Sequence, residues 1–185
     1  MTRTARTYPS DINQTSITSA DLVLGTDGGG TQYIHSQSFL LTTAFPLASI
    51  SWNVSSILGT PTGVVTARIV TDSGGSPSSI LTNKNAIATF TPSVGWNVVP
   101  FTPFVLPAGT YWIKLTCDVQ GLSTYWVLNR AGNVYADGQL KYSTNAGSTW
   151  NTYSGNDWAF KVTQGISART TAGARSTASA RNVVN

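Results

Sequence analysis

A single histidine, His35, and a single cysteine, Cys117, limit the chemistry this chain can carry. A nucleophilic triad or a cysteine–histidine pair needs a base within reach of its nucleophile, so any such site must be assembled around His35 alone. The surrounding Tyr33-Ile-His-Ser-Gln37 forms no catalytic motif. Cys117 falls on the apolar side of an alternating segment, where a thiol acts as a small hydrophobe. Glycoside hydrolysis takes two carboxylates. The acids here are seven aspartates with no glutamate. Three precede residue 30, Asp72 and Asp137 sit in glycine turns, and Asp118 and Asp157 lie at strand ends, so each has an ordinary explanation. A transition-metal site is short of ligands. Loop calcium is the remaining metal reading, with Asp27, Asp72 and Asp137 beside glycines, although there is no Asp-x-Asp-x-Asp-Gly loop. Gly28-Gly-Gly30 and Gly74-Gly75 lack the Gly-Lys-Ser/Thr ending of a phosphate loop. The expectation is a protein that is not an enzyme and needs no cofactor.

What remains is aromatic. Trp112 projects outward by alternation, Tyr125-Trp126 puts one ring on each face, and Tyr135, Tyr142, Trp150 and Tyr153 cluster in the loop-rich stretch 130–156. Exposed rings stack on sugars or anchor a protein contact, and core or edge packing is the competing explanation. Trp112, Trp126, Tyr135, Tyr142 and Trp150 are the candidate contact rings.

The elements that must position these rings read as strands. Only 10% of the 185 residues are charged, and Thr, Ser, Gly, Asn and Val dominate, a β-sheet composition. The expected strands are 36–41, 47–54, 64–71, 86–90, 96–104, 110–118, 123–129, 139–144, 148–153 and 158–163. Turns lie between them at Thr60-Pro-Thr-Gly63, Asp72-Ser-Gly-Gly-Ser-Pro77, Leu106-Pro-Ala-Gly109 and Asp137-Gly138. Alternation sends Tyr111, Ile113, Leu115 and Cys117 inward, with Val65, Ala67 and Ile69. Ala48, Ile50, Trp52 and Val54 form a third inward set, and Trp158, Phe160 and Val162 a fourth. One apolar face per strand predicts two antiparallel sheets packed face to face, a jelly-roll-like β-sandwich over residues 31–164.

The ends differ in composition. Residues 1–30 are a polar leader with Arg3 and Arg6, ending in Thr26-Asp-Gly-Gly-Gly30. Residues 165–185 repeat Ala-Arg every six positions, at Arg169, Arg175 and Arg181. Six is a multiple of two, so an extended arm turns all three arginines one way, about 20 Å apart. Ordering such an arm costs on the order of 20–40 kcal/mol gross, which its own small side chains cannot offset. Docking on a neighbouring subunit is the expectation. Three spaced arginines without a stacking ring suit protein rather than nucleic acid. No stretch approaches a transmembrane helix, and residues 1–30 lack the apolar run of a signal peptide, so synthesis in the cytoplasm is expected.

Residues 37–162 resemble the β-sandwich modules of bacterial surface and phage virion proteins, related in style to carbohydrate-binding jelly rolls. The resemblance rests on Gln37-Ser-Phe39, Pro61-Thr-Gly63 leading into Val64–Val70, and Thr71-Asp-Ser-Gly-Gly-Ser-Pro77. It continues through Phe104-Val-Leu-Pro-Ala-Gly-Thr-Tyr-Trp-Ile113 and Asp157-Trp-Ala-Phe-Lys-Val162. These are turn and core residues, which identify a fold better than a function. With its added arms, the resemblance implies a bacteriophage virion component, a capsid decoration or cement protein. Its implied partners are the major capsid protein, other virion subunits and further copies of itself. Recognition of host-surface glycans by a tail or fibre protein is the alternative.

Overall fold

The computed structural model describes residues 10–118 and 120–165; Arg3, Arg6, Arg169, Arg175 and Arg181 lie outside them. Among the described residues fourteen strands follow one another, all paired antiparallel: β1 (Ile12–Gln14), β2 (Ser19–Thr26), β3 (Gln32–Leu41), β4 (Phe45–Leu58) and β5 (Val65–Asp72). Then come β6 (Pro77–Leu81), β7 (Ile87–Phe90), β8 (Gly95–Leu106), β9 (Gly109–Cys117) and β10 (Thr124–Gly132). The last four are β11 (Leu140–Ser143), β12 (Asn151–Thr152), β13 (Asn156–Trp158) and β14 (Phe160–Gln164).

They form an antiparallel sandwich of two sheets joined at one corner. In the first sheet, β4 pairs with β8 along one edge. Along its other edge β4 pairs with β14 in its first half and with β10 in its second. Beyond these lie β1, against β14, and β2, against β10. The second sheet runs β12, β11, β3, β9, β5, with β7 and β6 sharing the far side of β5. The corner is the β2–β3 pairing, Gly25 to Tyr33 and Thr26 to Gln32.

The core lies between the sheets. Val65, Ala67 and Ile69 enter it, as do Tyr111, Ile113 and Leu115, and Trp158, Phe160 and Val162. All follow the period-2 alternation of a half-buried strand. Cys117 packs against the core while remaining partly exposed. Trp52, Trp126 and Trp158 are each 1% exposed within that core. Truncating such a ring to alanine costs about 3–5 kcal/mol.

Three expectations need correction. Residues 12–26 are not a leader outside the sandwich, because β1 and β2 are strands of it, with Leu22 and Leu24 in the core. Ala48 is only half-buried: the register of β4 against β8 shifts between Leu47 and Ser49, so Phe45 and Leu47 face inward before the bulge and Ile50, Trp52 and Val54 after it. The expected strand 148–153 shrinks to β12, because Asn145 and Ser143 fold the preceding residues into a turn. In it, the amides of Gly147 and Thr149 donate to Ser143 Oγ and Asn145 Oδ1 at 2.9 Å each.

Candidate functional site

The sheets part where β2 leaves β3. Gly25 makes this divergence feasible: its φ is +126°, and a Cβ there would lie 2.8 Å from the Thr124 carbonyl oxygen. Beyond it β2 becomes an edge of the first sheet, while β3 joins β9 and β11 in the second. The gap between the two edges is a cleft of about 300 Å³, lined by Asp21, Asp27, Tyr33, His35, Tyr142 and Tyr153 among others.

Tyr142 is its centre. β11 sets Tyr142 opposite His35 of β3, and its ring centroid lies 6.2 Å from Tyr33, 5.9 Å from Tyr153 and 6.5 Å from His35. Arg130 of β10 holds the rim. Its Nε and Nη2 donate to Asp21 at 2.5 and 2.6 Å, Nη1 donates to Asn156 Oδ1, and the guanidinium carbon lies 5.2 Å from the Tyr153 centroid. The Arg130 hydrogen bonds hold the Asp21 carboxyl below its ordinary range, against a smaller opposing effect of burial. Partial burial, with Asp27 nearby, raises the Tyr33 phenol. Both phenol and guanidinium therefore keep their protons at neutral pH. Three tyrosine rings beside an ion pair make an amphipathic wall, apolar across the ring faces and rich in donors and acceptors at its rim.

His35 closes the back of the cleft. It is 2% exposed, and its Nε2 lies 2.7 Å from the Val23 carbonyl oxygen, which fixes the proton on Nε2. Burial pushes its pKa down to about 4, so the ring is neutral. Its Nδ1 is buried without a protein partner. The imidazole pins the edge of β2 against the second sheet.

Of the five candidate contact rings Tyr142 alone stands in this cleft, beside Tyr153 of the same loop-rich stretch. Trp112 does face away from the core, yet it is 1% exposed: its Nε1 donates to Asp72 Oδ1 at 2.7 Å, and Lys141 Nζ sits 5.8 Å from its ring. Trp126, on β10 between β2 and β4, is a core residue. Neither is an open contact ring. Tyr135 is half-buried against Phe160, with its hydroxyl accepting from the Leu40 amide at 3.1 Å, and borders a second cleft with Asp11 and Asp137. Trp150 is half-buried, with Lys114 Nζ 5.5 Å from its ring. The candidate calcium ligands are dispersed. Asp27 Oδ1 accepts from the amides of Gly29 and Thr31, Asp72 is held by Trp112 and the Gly75 amide, and Asp137 lies at the second cleft. Among the described residues no three His, Cys, Asp or Glu side chains gather as metal ligands.

Sequence reasoning missed Asp21, Tyr33 and Arg130. Asp21 and Arg130 stand 109 residues apart and meet only because β2 pairs with β10. Comparison with protein-family models, with curated proteins and with solved structures returned no match.

Proposed function

We propose that this chain is a structural component of a bacteriophage virion, a capsid decoration or cement protein that holds neighbouring subunits through its two terminal arms. The pairing of β1 with β14 supports this reading above all. Ile12 lies opposite Val162, and the Gln164 amide donates to Asp11 Oδ1 at 2.9 Å. Residues 10 and 165 therefore lie side by side at one end of the sandwich. Arms tethered together in this way gain by effective concentration, and each arginine can form a bidentate carboxylate pair. The partners are the major capsid protein and further copies of this chain. Replacing Arg169, Arg175 and Arg181 together with glutamine in the full chain should leave circular dichroism unchanged and lower occupancy on phage particles lacking this subunit. Undiminished saturation by that variant would overturn the proposal.

The tyrosine cleft favours a second reading, recognition of a host-surface glycan. Tyr142→Ala should then abolish glycan-array binding while particle occupancy persists. Retained array binding by the variant counts against this reading.

A further inference from the structure

The three rings of the tyrosine cleft form a row with unlike ends. Tyr142 stands in the middle, its centroid 6.2 Å from Tyr33 on one side and 5.9 Å from Tyr153 on the other. All three are half-buried, so part of each ring still meets solvent. At the Tyr153 end the charges cancel. Arg130 is paired there with Asp21, and every guanidinium nitrogen is engaged, Nε and Nη2 by Asp21 and Nη1 by Asn156. At the Tyr33 end stands Asp27, whose charge adds to burial in raising the Tyr33 phenol.

Asp27 is held in place by its own turn. It opens the glycine-rich connection from β2 to β3, where its amide donates to the Thr31 carbonyl at 3.0 Å. Its Oδ1 accepts from the Gly29 and Thr31 amides at 2.9 and 2.8 Å. These bonds fix the side chain but bring it no positive charge. Among the described residues the one ion pair is Arg130 with Asp21. Lys141, next to Tyr142 in sequence, alternates to the other face of β11, where Nζ donates to Ser76 Oγ at 2.9 Å. His35 at the back of the cleft is neutral. One uncompensated carboxylate is left beside a row of aromatic faces.

On the glycan reading of this cleft, we infer that it selects a sugar carrying a protonated amine, with the sugar ring on Tyr142 and the ammonium between Asp27 and the Tyr33 ring. A carboxylate attracts an ammonium through a charge-assisted hydrogen bond, and an aromatic face attracts it through its quadrupole. Acidic sugars meet the opposite: two carboxylates line the cleft, and the guanidinium at its rim is already committed. A neutral sugar gains stacking alone, and N-acetylation removes the charge that Asp27 would bind.

The test titrates the full chain with three tetrasaccharides, of glucosamine, N-acetylglucosamine and galacturonic acid. Wild type should bind the glucosamine form about tenfold more tightly than the acetylated one and show no saturable binding of the acid. Asp27→Asn keeps Oδ1 as acceptor for both turn amides, so its melting temperature should hold while the preference falls to less than about threefold. Asp137→Asn, which removes equal charge at the second cleft, should keep the full preference. Tyr142→Ala should lose both sugars. Equal affinity of wild type for the amine and acetylated forms would overturn the inference and leave the glycan reading standing. So would an Asp27→Asn variant that still prefers the amine, or an equal loss of preference in Asp137→Asn. Absence of binding to all three probes, or amine binding undiminished in Tyr142→Ala, would overturn the glycan reading together with the inference.

Discussion

Two buried polar side chains on the inner side of β3, two residues apart, meet opposite fates. Gln37 is fully satisfied: its Oε1 accepts from the Trp158 amide at 2.9 Å, and its Nε2 donates to Asp157 Oδ1 at 2.9 Å. Asp157, 0% exposed, takes the amides of Val134 and Tyr135 on its other oxygen at 3.1 and 3.0 Å. His35 makes one bond to backbone and leaves Nδ1 without a partner. Where the network closes, loop and strand are locked together; where it stays open, the sheets separate and the cleft begins. A half-satisfied polar group at a seam between sheets is thus a pointer to a site, and a closed one to architecture.

The comparison breaks most severely at Asp157. Asp157→Ala strands the Gln37 amide and two backbone donors in the interior, and urea unfolding should register a loss of about 3–5 kcal/mol. His35 responds to pH instead. Its folded pKa, about 4, lies below the ordinary 6.5, so the unfolded chain takes up more protons between those values. Stability from this residue is complete above pH 6.5, declines as pH falls, and is lost by pH 4, a span of about 3 kcal/mol. His35→Gln should flatten stability measured across that window, and an unchanged slope would refute the assignment. The smallest effect belongs to the rim. Asp21 is about half exposed, so Asp21→Asn should change stability by less than about 1 kcal/mol.

Alternation made the inner faces of β5, β9 and β14 legible, because each is one unbroken run opposite a single core. It failed at Ala48, where a bulge inserts a residue that no local pattern announces. β2 was obscured for another reason: Leu22 and Leu24 are few among polar neighbours, and their burial depends on β10, distant in the chain. Trp112 shows the same limit from the other side. Its direction could be read from period, but its cover comes from Asp72 and Lys141 on other strands. Tyr142 was visible as an aromatic in a loop-rich stretch; the carboxylate and guanidinium beside it were not, since pairing across sheet edges leaves no mark on either segment alone.

The side-by-side departure of β1 and β14 has a mechanical consequence. Tension applied between residues 10 and 165 loads their ladder end-on, parting its hydrogen bonds one after another rather than all at once in shear. β1 spans only Ile12–Gln14, so it yields as a short zip while Leu22 and Leu24 hold the next strand in place. A molecule pulled by both ends would lengthen by a few residues before its interior was threatened, giving each tether a built-in slack.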